Sequence, residues 1–172
     1  GDVGQVRDVA ISGDIVCAVR MNGTVRCFNA RSGSAVSSPS DLAHVVSIEG
    51  SYWFACALLD DDTVRCWNNG GDYRTDVPED LGPVRSLRLN NEGACVLQQD
   101  GVPRCWIAPA ALPASIPTLR DFDSSNEAGC WIDMSGAVSC WGQDHGGRVT
   151  GVPSVDQEAT QVWVGDRAVC AQ

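Results

Sequence analysis

The chain has 172 residues, of which 22 are acidic and 12 basic, so its formal net charge is -10 at pH 7. That charge repels phosphate backbones and anionic lipid, which argues against a nucleic-acid partner. No run of residues approaches the roughly 18 to 20 apolar residues of a membrane-spanning helix, and the N-terminal residues have no signal-peptide pattern. We therefore expect no membrane span, and we expect any signal peptide to have been removed.

Nine cysteines give the chain a repeating pattern. Eight of them form pairs whose members are 10 residues apart, and successive pairs begin 35 to 39 residues apart; they are Cys17, Cys27, Cys56, Cys66, Cys95, Cys105, Cys130 and Cys140. Cys170 stands where the first cysteine of a fifth pair is expected, and the sequence supplies no second cysteine for it. The spacing predicts one tandem-repeat domain over residues 1–172, with units at about 6–44, 45–83, 84–118, 119–158 and a partial unit at 159–172.

Each unit reads as a series of short β-strands. The segments around the cysteines are rich in Val, Ile, Thr and Trp and are separated by turn residues. In the first unit, the tip Met21-Asn22-Gly23 suits a three-residue turn with Gly23 in the left-handed conformation. This register places Cys17 opposite Cys27 at a non-hydrogen-bonded position, where α-carbons come closest. Pro103 cannot donate to a sheet, so we expect it on an unpaired side of its strand and the third unit to be irregular.

The paired cysteines are best explained as disulfides across the four hairpins. A zinc site is disfavoured because the chain has no C-x-x-C motif and its histidines are His44 and His145. A nucleophilic cysteine is disfavoured as well, since every repeat would need a separate explanation for its own pair. Four disulfides predict an oxidising compartment, so we expect a secreted, periplasmic or cell-surface protein in which Cys170 is unpaired.

Two segments resemble a known repeat: "CALLDDDTVRCWNNGGDY" at 56–73 and "CWIDMSGAVSCWGQDHGG" at 130–147. Both are similar to the repeat of the regulator of chromosome condensation superfamily, in the cysteine-bearing form of secreted bacterial proteins and some receptor ectodomains. The family's usual His before the first Cys is missing. The resemblance implies an all-β fold, a β-propeller-like array of about four to five small antiparallel blades. Family propellers are usually seven-bladed, so an incomplete ring is expected: a fragment, a smaller propeller, or a half completed by a second chain.

The resemblance implies a function in binding, because members of the superfamily share a rigid ring whose loop-bearing rim contacts another protein. We therefore expect an extracellular protein-binding scaffold with an unidentified protein partner. A carbohydrate-binding, lectin-like propeller is the alternative. No pair of carboxylates recurs at one location, so we expect no enzymatic activity, no cofactor and no metal site. A dimer, formed through Cys170 or by completing the ring, is a further expectation.

Five residues that do not belong to the repeating pattern of the units are candidates for the binding surface. Aromatic side chains on loops are typical of protein or sugar contacts, although burial between blades explains them equally well. A loop histidine is also a candidate for the binding surface, although a lone histidine with no second ligand nearby in the sequence is more often a plain loop residue. The candidate binding residues are Tyr52, Trp53, Tyr73, Arg74 and His145.

Overall fold

The computed structural model describes residues 4–52, 54–68, 75–90, 93–106, 112–144, 147, 149–150, 158–165 and 168–172. Within them, fifteen strands form five antiparallel sheets. The first sheet contains β1 (Val6–Ser12), β2 (Ile15–Arg20), β3 (Val25–Asn29) and β4 (Ala35–Val36). The next two sheets contain β5 (Val45–Gly50), β6 (Ala55–Leu59) and β7 (Val64–Trp67), then β8 (Val84–Leu89), β9 (Ala94–Gln98) and β10 (Pro103–Trp106). The last two contain β11 (Leu119–Ser124), β12 (Ala128–Asp133) and β13 (Val138–Gly142), then β14 (Val162–Val164) and β15 (Val169–Ala171).

The apolar core lies between consecutive sheets, and each sheet packs face to face on the next. Every interface buries the residue that stands eight positions before the first Cys of its unit; these residues are Ile48, Leu87, Phe122 and Val162. None of the four side chains is more than 2% exposed. Burying such a side chain contributes about 1.5 to 3 kcal/mol, so stacking of the sheets stabilises the array and the predicted all-β fold is confirmed.

The hairpin tips have the predicted three-residue geometry. Arg20 N–H donates to the carbonyl of Thr24 at 2.8 Å, and Gly23 is left-handed with φ 77°. Equivalent bonds close the other three tips. Gly101 and Gly136 again supply the left-handed residue, whereas Asp62 takes that conformation in the second unit with φ 64°. The same local turn chemistry therefore sets the register of four hairpins.

Each tip also contacts the next sheet. The carbonyl of the left-handed residue accepts a backbone N–H of the following unit; the pairs are Gly23–Val45, Asp62–Val84, Gly101–Leu119 and Gly136–Ala159, at 2.9 to 3.3 Å. At Gly101 the approach is close, because a Cβ there would lie 2.5 Å from Thr118 Cγ2. The tip turns therefore both close their own hairpins and connect neighbouring sheets.

The four predicted hairpin disulfides are present. The paired cysteines lie directly opposite each other in β2–β3, β6–β7, β9–β10 and β12–β13. Their α-carbons are 4.0 Å apart in every pair, as expected at non-hydrogen-bonded positions. Cys170 is an exposed free cysteine. The hairpin register that we inferred from the turn residues is therefore correct.

The third sheet corrects one expectation, since it is not irregular. Its registers match those of its neighbours, with Cys95 opposite Cys105 and Leu97 opposite Pro103. Pro103 begins β10 and stands two residues before Cys105, which forms a non-hydrogen-bonded pair with Cys95. Positions two residues apart on a strand are equivalent, so Pro103 is also at a non-hydrogen-bonded position and does not need to donate an N–H to β9. A proline at the first residue of an edge strand does not disturb the sheet.

A β-bulge recurs in the first strands β1, β5, β8 and β11. Two arginines at the bulged positions reach the following sheet. Arg85 donates to the carbonyls of Leu119 and Arg120 at 3.1 and 2.7 Å, and Arg120 donates to the carbonyl of Ala159 at 3.2 Å. The bulges thus direct these two arginine side chains toward the next sheet, where their guanidinium groups donate hydrogen bonds to backbone carbonyls.

The two end sheets of the described array are uncovered on their outer faces. Val9 and Ile11 in β1 are 50% and 65% exposed, although the position of Val9 is buried in every later sheet. Trp163 in β14, opposite Cys170, is 45% exposed. Among the described residues, no helix is long and apolar enough to cross a membrane.

Candidate functional site

A groove of about 840 Å³ lies between the first and second sheets. Its first wall comes from the β1–β2 turn, the Cys17–Cys27 disulfide and the β3–β4 loop, and its second wall from the residues around the start of β6 and the end of β7. Its volume falls within the range of roughly 300 to 1,000 Å³ that is usual for ligand sites. This groove is the candidate functional site.

Tyr52 forms an aromatic platform at the edge of the groove. The residue is 62% exposed, and its ring lies beside the β1–β2 turn. A Cβ at Gly13 would lie 3.8 Å from two carbons of the Tyr52 ring and 3.5 Å from the Tyr52 carbonyl oxygen. Gly13 has φ 57°, a conformation that favours glycine. An added Cβ at Gly13 would therefore meet the ring at ordinary van der Waals distance, which places the ring beside the β1–β2 turn.

The floor of the groove is apolar. It is formed by the Cys17–Cys27 disulfide together with Val36 from β4 and Trp67 from β7. Val36 and Trp67 also pack, partly buried, against the core between the two sheets. The floor is therefore part of the folded core and holds its shape.

The rim of the groove is polar and joins two loops. Arg31 Nε donates to Asp14 Oδ1 at 3.0 Å, and the N–H of Ala30 donates to the carbonyl of Asp14 at 2.7 Å. The Asn29 side-chain oxygen accepts the backbone N–H groups of Arg31 and Ser32, each at 3.0 Å, which shapes the β3–β4 loop. An exposed ion pair of this kind contributes at most about 1 kcal/mol, so its main effect is to position the rim.

The structure places one of the five predicted binding residues in the groove. Tyr52 lines it, while Trp53, Tyr73, Arg74 and His145 lie outside the described residues. Phe54, two residues after Tyr52, is 1% exposed; it borders the groove and packs in the core between the second and third sheets. Tyr52 is therefore exposed at the candidate site and Phe54 is buried in the core, while binding by Tyr52 stays a prediction.

Asp14 and Arg31 are functional candidates that the sequence did not indicate. Their signal was weak, because the two residues are 17 positions apart and neither belongs to a repeated column. The run Asn29-Ala30-Arg31-Ser32-Gly33 has the composition of a capped turn, and this is what brings Arg31 to the rim.

A second polar cluster lies along the first strands of the second, third and fourth sheets. Arg88 in β8 lies 3.6 Å from Glu49 Oε1, 3.4 Å from Asp121 Oδ1 and 3.8 Å from Asp123 Oδ1. Burial raises the pKa of Glu49 to about 7, and Arg88 opposes this increase. Burial likewise raises the pKa of Asp123. The guanidinium of Arg88 therefore forms ion pairs with three carboxylates of the two neighbouring sheets.

The carboxylates of this cluster also satisfy the backbone of the next sheet. Asp121 accepts the buried N–H of Val162 at 3.0 Å, and Asp123 accepts the N–H of Val164 at 2.7 Å. Within the described part of the chain, no group of three or more His, Cys, Asp or Glu side chains is arranged to hold a metal ion. The cluster therefore connects sheets, and the groove remains the candidate for ligand binding.

No protein-family model and no curated protein matches the sequence. Solved structures do match. The ectodomain of the Physcomitrella patens receptor kinase CR4 aligns with a TM-score of 0.71 and 22% identity, over 98% of this chain and 50% of that one. The CRINKLY WD40 ectodomain of the Arabidopsis thaliana receptor kinase ACR4 aligns with a TM-score of 0.58 and 19% identity, over 78% and 48%.

A third similar structure is Prp20p from Saccharomyces cerevisiae, with a TM-score of 0.66 and 14% identity, over 87% of this chain and 48% of that one. The chain thus spans about half the length of the structures it resembles. At these identities the likeness concerns the fold alone. Together with the five stacked antiparallel sheets, it assigns a β-propeller type of architecture to the described array.

Proposed function

We propose that this protein is an extracellular, non-catalytic β-propeller scaffold that binds another protein at its loop-bearing rim. The observation that carries the proposal is the groove between the first two sheets, with the exposed ring of Tyr52 beside the β1–β2 turn. An exposed aromatic side chain beside an apolar floor is the kind of anchor that dominates binding at protein interfaces.

The similar structures support a binding role. The Prp20p structure is described together with its binding properties to Gsp1p and histones, and the two plant structures are receptor-kinase ectodomains. These partners belong to those proteins. What we transfer as a proposal is only the use of a propeller as a binding scaffold, since the identities are low and fold does not imply function.

The four disulfides point to an oxidising compartment, and ectodomains among the similar structures are compatible with this. Within that class we propose a secreted, periplasmic or cell-surface location. The net charge of -10 supports a protein partner rather than nucleic acid. The hydrogen bonds of Asp121 and Asp123 to backbone N–H groups support a structural rather than a catalytic use of buried carboxylates.

The proposal is tested by capturing partners from the extracellular fraction on immobilised, disulfide-bonded protein. Three baits are compared: the wild type, Tyr52→Ala and the matched control Met134→Ala, whose side chain is similarly exposed at 56% but lies outside the groove. We expect one identified protein to bind the wild type and the control, with at least about tenfold less on Tyr52→Ala. Equal recovery on all three baits, or no recovery on the wild type, would count against a rim contact at Tyr52.

We also propose self-association as a second property, because the outer faces of both end sheets expose apolar residues and Cys170 is exposed on one of them. A dimer linked through Cys170 and a dimer that completes the ring without a covalent link differ in one measurable respect. Only the first would separate on reduction. Sedimentation with and without reductant therefore distinguishes the two, and a monomer under both conditions would contradict both.

A further inference from the structure

The groove presents an apolar platform and floor to any ligand that enters it. Tyr52 lies at the edge, while Trp67 and the Cys17–Cys27 disulfide lie beneath. Aromatic rings pack well against flat C–H surfaces. Sugar rings offer such surfaces on one or both faces, and their edges carry hydroxyl groups. The groove therefore matches the amphipathic character of a saccharide.

The rim supplies both hydrogen-bond donors and acceptors, as hydroxyl groups require. The ion pair uses Arg31 Nε and Asp14 Oδ1, which leaves the two terminal nitrogens of Arg31 and Oδ2 of Asp14 for other partners. The hydroxyl groups of Ser12 and Ser37 also line the groove. Each hydroxyl both donates and accepts. A ligand with many hydroxyl groups can therefore be bound around the whole rim.

The charges of the rim select a neutral ligand. Asp14 and Arg31 neutralise each other across 3.0 Å, while the whole protein carries a net charge of -10. An acidic sugar would meet an overall repulsive potential. A volume of about 840 Å³ accommodates a ligand of about two or three sugar rings.

We propose that the groove binds a short neutral oligosaccharide carried by the protein partner. This inference rests on the proposed function, because it uses the same groove and names the chemical group that the partner inserts. Tyr52 supplies the stacking surface, and Asp14 and Arg31 bind the hydroxyl groups.

The test uses free sugars and the disulfide-bonded protein. Maltotriose, cellotriose and triacetylchitotriose serve as neutral probes and sialyllactose as the acidic probe, with saturation-transfer NMR as the readout and titration for affinity. We expect at least one neutral probe to receive magnetisation on its ring protons. Tyr52→Ala should weaken its binding by at least about tenfold, equivalent to roughly 1.4 kcal/mol. The control Met134→Ala should stay within about threefold of the wild type, and Tyr52→Phe, which keeps the ring, should bind more tightly than Tyr52→Ala.

Absence of transfer to every neutral probe, transfer to sialyllactose alone, or equal transfer from Tyr52→Ala would overturn the inference. Thermal unfolding of each variant shows whether it is folded, and Asp14→Asn gives a second, independent change in the groove. Enzymatic removal of glycans from the captured partner separates the two proposals. If the deglycosylated partner still binds in a Tyr52-dependent way, the partner proposal stands and the saccharide inference fails; if free sugars bind but no partner is captured, the reverse holds.

Discussion

Removing one hairpin disulfide should lower the free energy of unfolding by a predictable amount. Cys56 and Cys66 are replaced together by Ala, which avoids placing a hydroxyl at Cys56, a fully buried position. The bridge has a sequence separation of 10. The chain-entropy relation for a loop of that length gives a loss of about 9 cal/mol/K, or about 2.7 kcal/mol at 25 °C. All four bridges have this separation, so the same loss is expected for each pair.

Urea unfolding monitored by tryptophan fluorescence measures this loss, provided that the slope with denaturant is also compared. The variant Cys170→Ser is the matched control, because it removes a cysteine that forms no bridge. We expect the control to unfold with the wild type and each double variant to unfold at lower urea. Stacked repeats can lose cooperativity, so coincident curves from fluorescence and circular dichroism are required before free energies are compared.

A loss below about 0.5 kcal/mol for every pair would refute the reasoning, since the bridges would then not restrict the unfolded chain. A loss that differs by more than about 2 kcal/mol among the four pairs would refute it in another way. Loop length is identical, so such a spread would have to come from packing around the sulfur atoms.

Three further changes have definite expected outcomes. Gly101→Ala should destabilise the protein by about 1 to 3 kcal/mol in a urea titration, because residue 101 has φ 80° and a Cβ would meet Thr118 Cγ2 at 2.5 Å; unchanged stability would contradict the tip contact. Burial raises the pKa of Glu49 from 4.5 to about 7, so the folded state holds its proton more tightly and wild-type stability should fall between pH 4.5 and 7 relative to Glu49→Gln. The Glu49 side chain keeps 37% exposure beside Arg88, Asp8 and Asp123, so solvent screening should limit this fall to about 1 kcal/mol; a wild-type curve parallel to that of the variant would contradict it. Any dimer that reduction separates should be lost in Cys170→Ser, and its persistence there would assign the link to another cysteine.

The hairpins were predictable because their determinants are local. The turn Met21-Asn22-Gly23 and the ten-residue spacing together fix which residues face each other, and the structure has that register. Stacking of the sheets buries the apolar residues eight positions before the first Cys of each unit, such as Ile48 and Phe122. Pro103 does lie where its strand needs no N–H, and only the expected irregularity of the third unit was wrong, because a proline disturbs a sheet only where its missing N–H is needed.

The candidate site was only partly predictable. Tyr52 was indicated by a local departure from the repeat, which is visible in the sequence. The groove itself depends on how the loops and strand ends of two sheets come together, and the ion pair of Asp14 with Arg31 depends on the conformations of two loops. Neither depends on a repeating pattern, so periodicity carries no information about them.

One column of the repeat, formed by the residues seven positions before the first Cys of each unit, explains how similar sheets are kept in one order. It reads Ala10, Glu49, Arg88, Asp123 and Trp163, and its first four members lie on faces that the next sheet covers. Identical repeats would place like charges next to one another here. Instead Arg88 lies between the carboxylates of the two adjoining sheets, 3.6 Å from Glu49 and 3.8 Å from Asp123. Exchanging neighbouring sheets would bring Glu49 beside Asp123 without the intervening cation, and two partly buried carboxylates in contact are strongly unfavourable. We infer that this charge sequence specifies sheet order, while the apolar column one residue earlier in the chain supplies most of the stacking free energy.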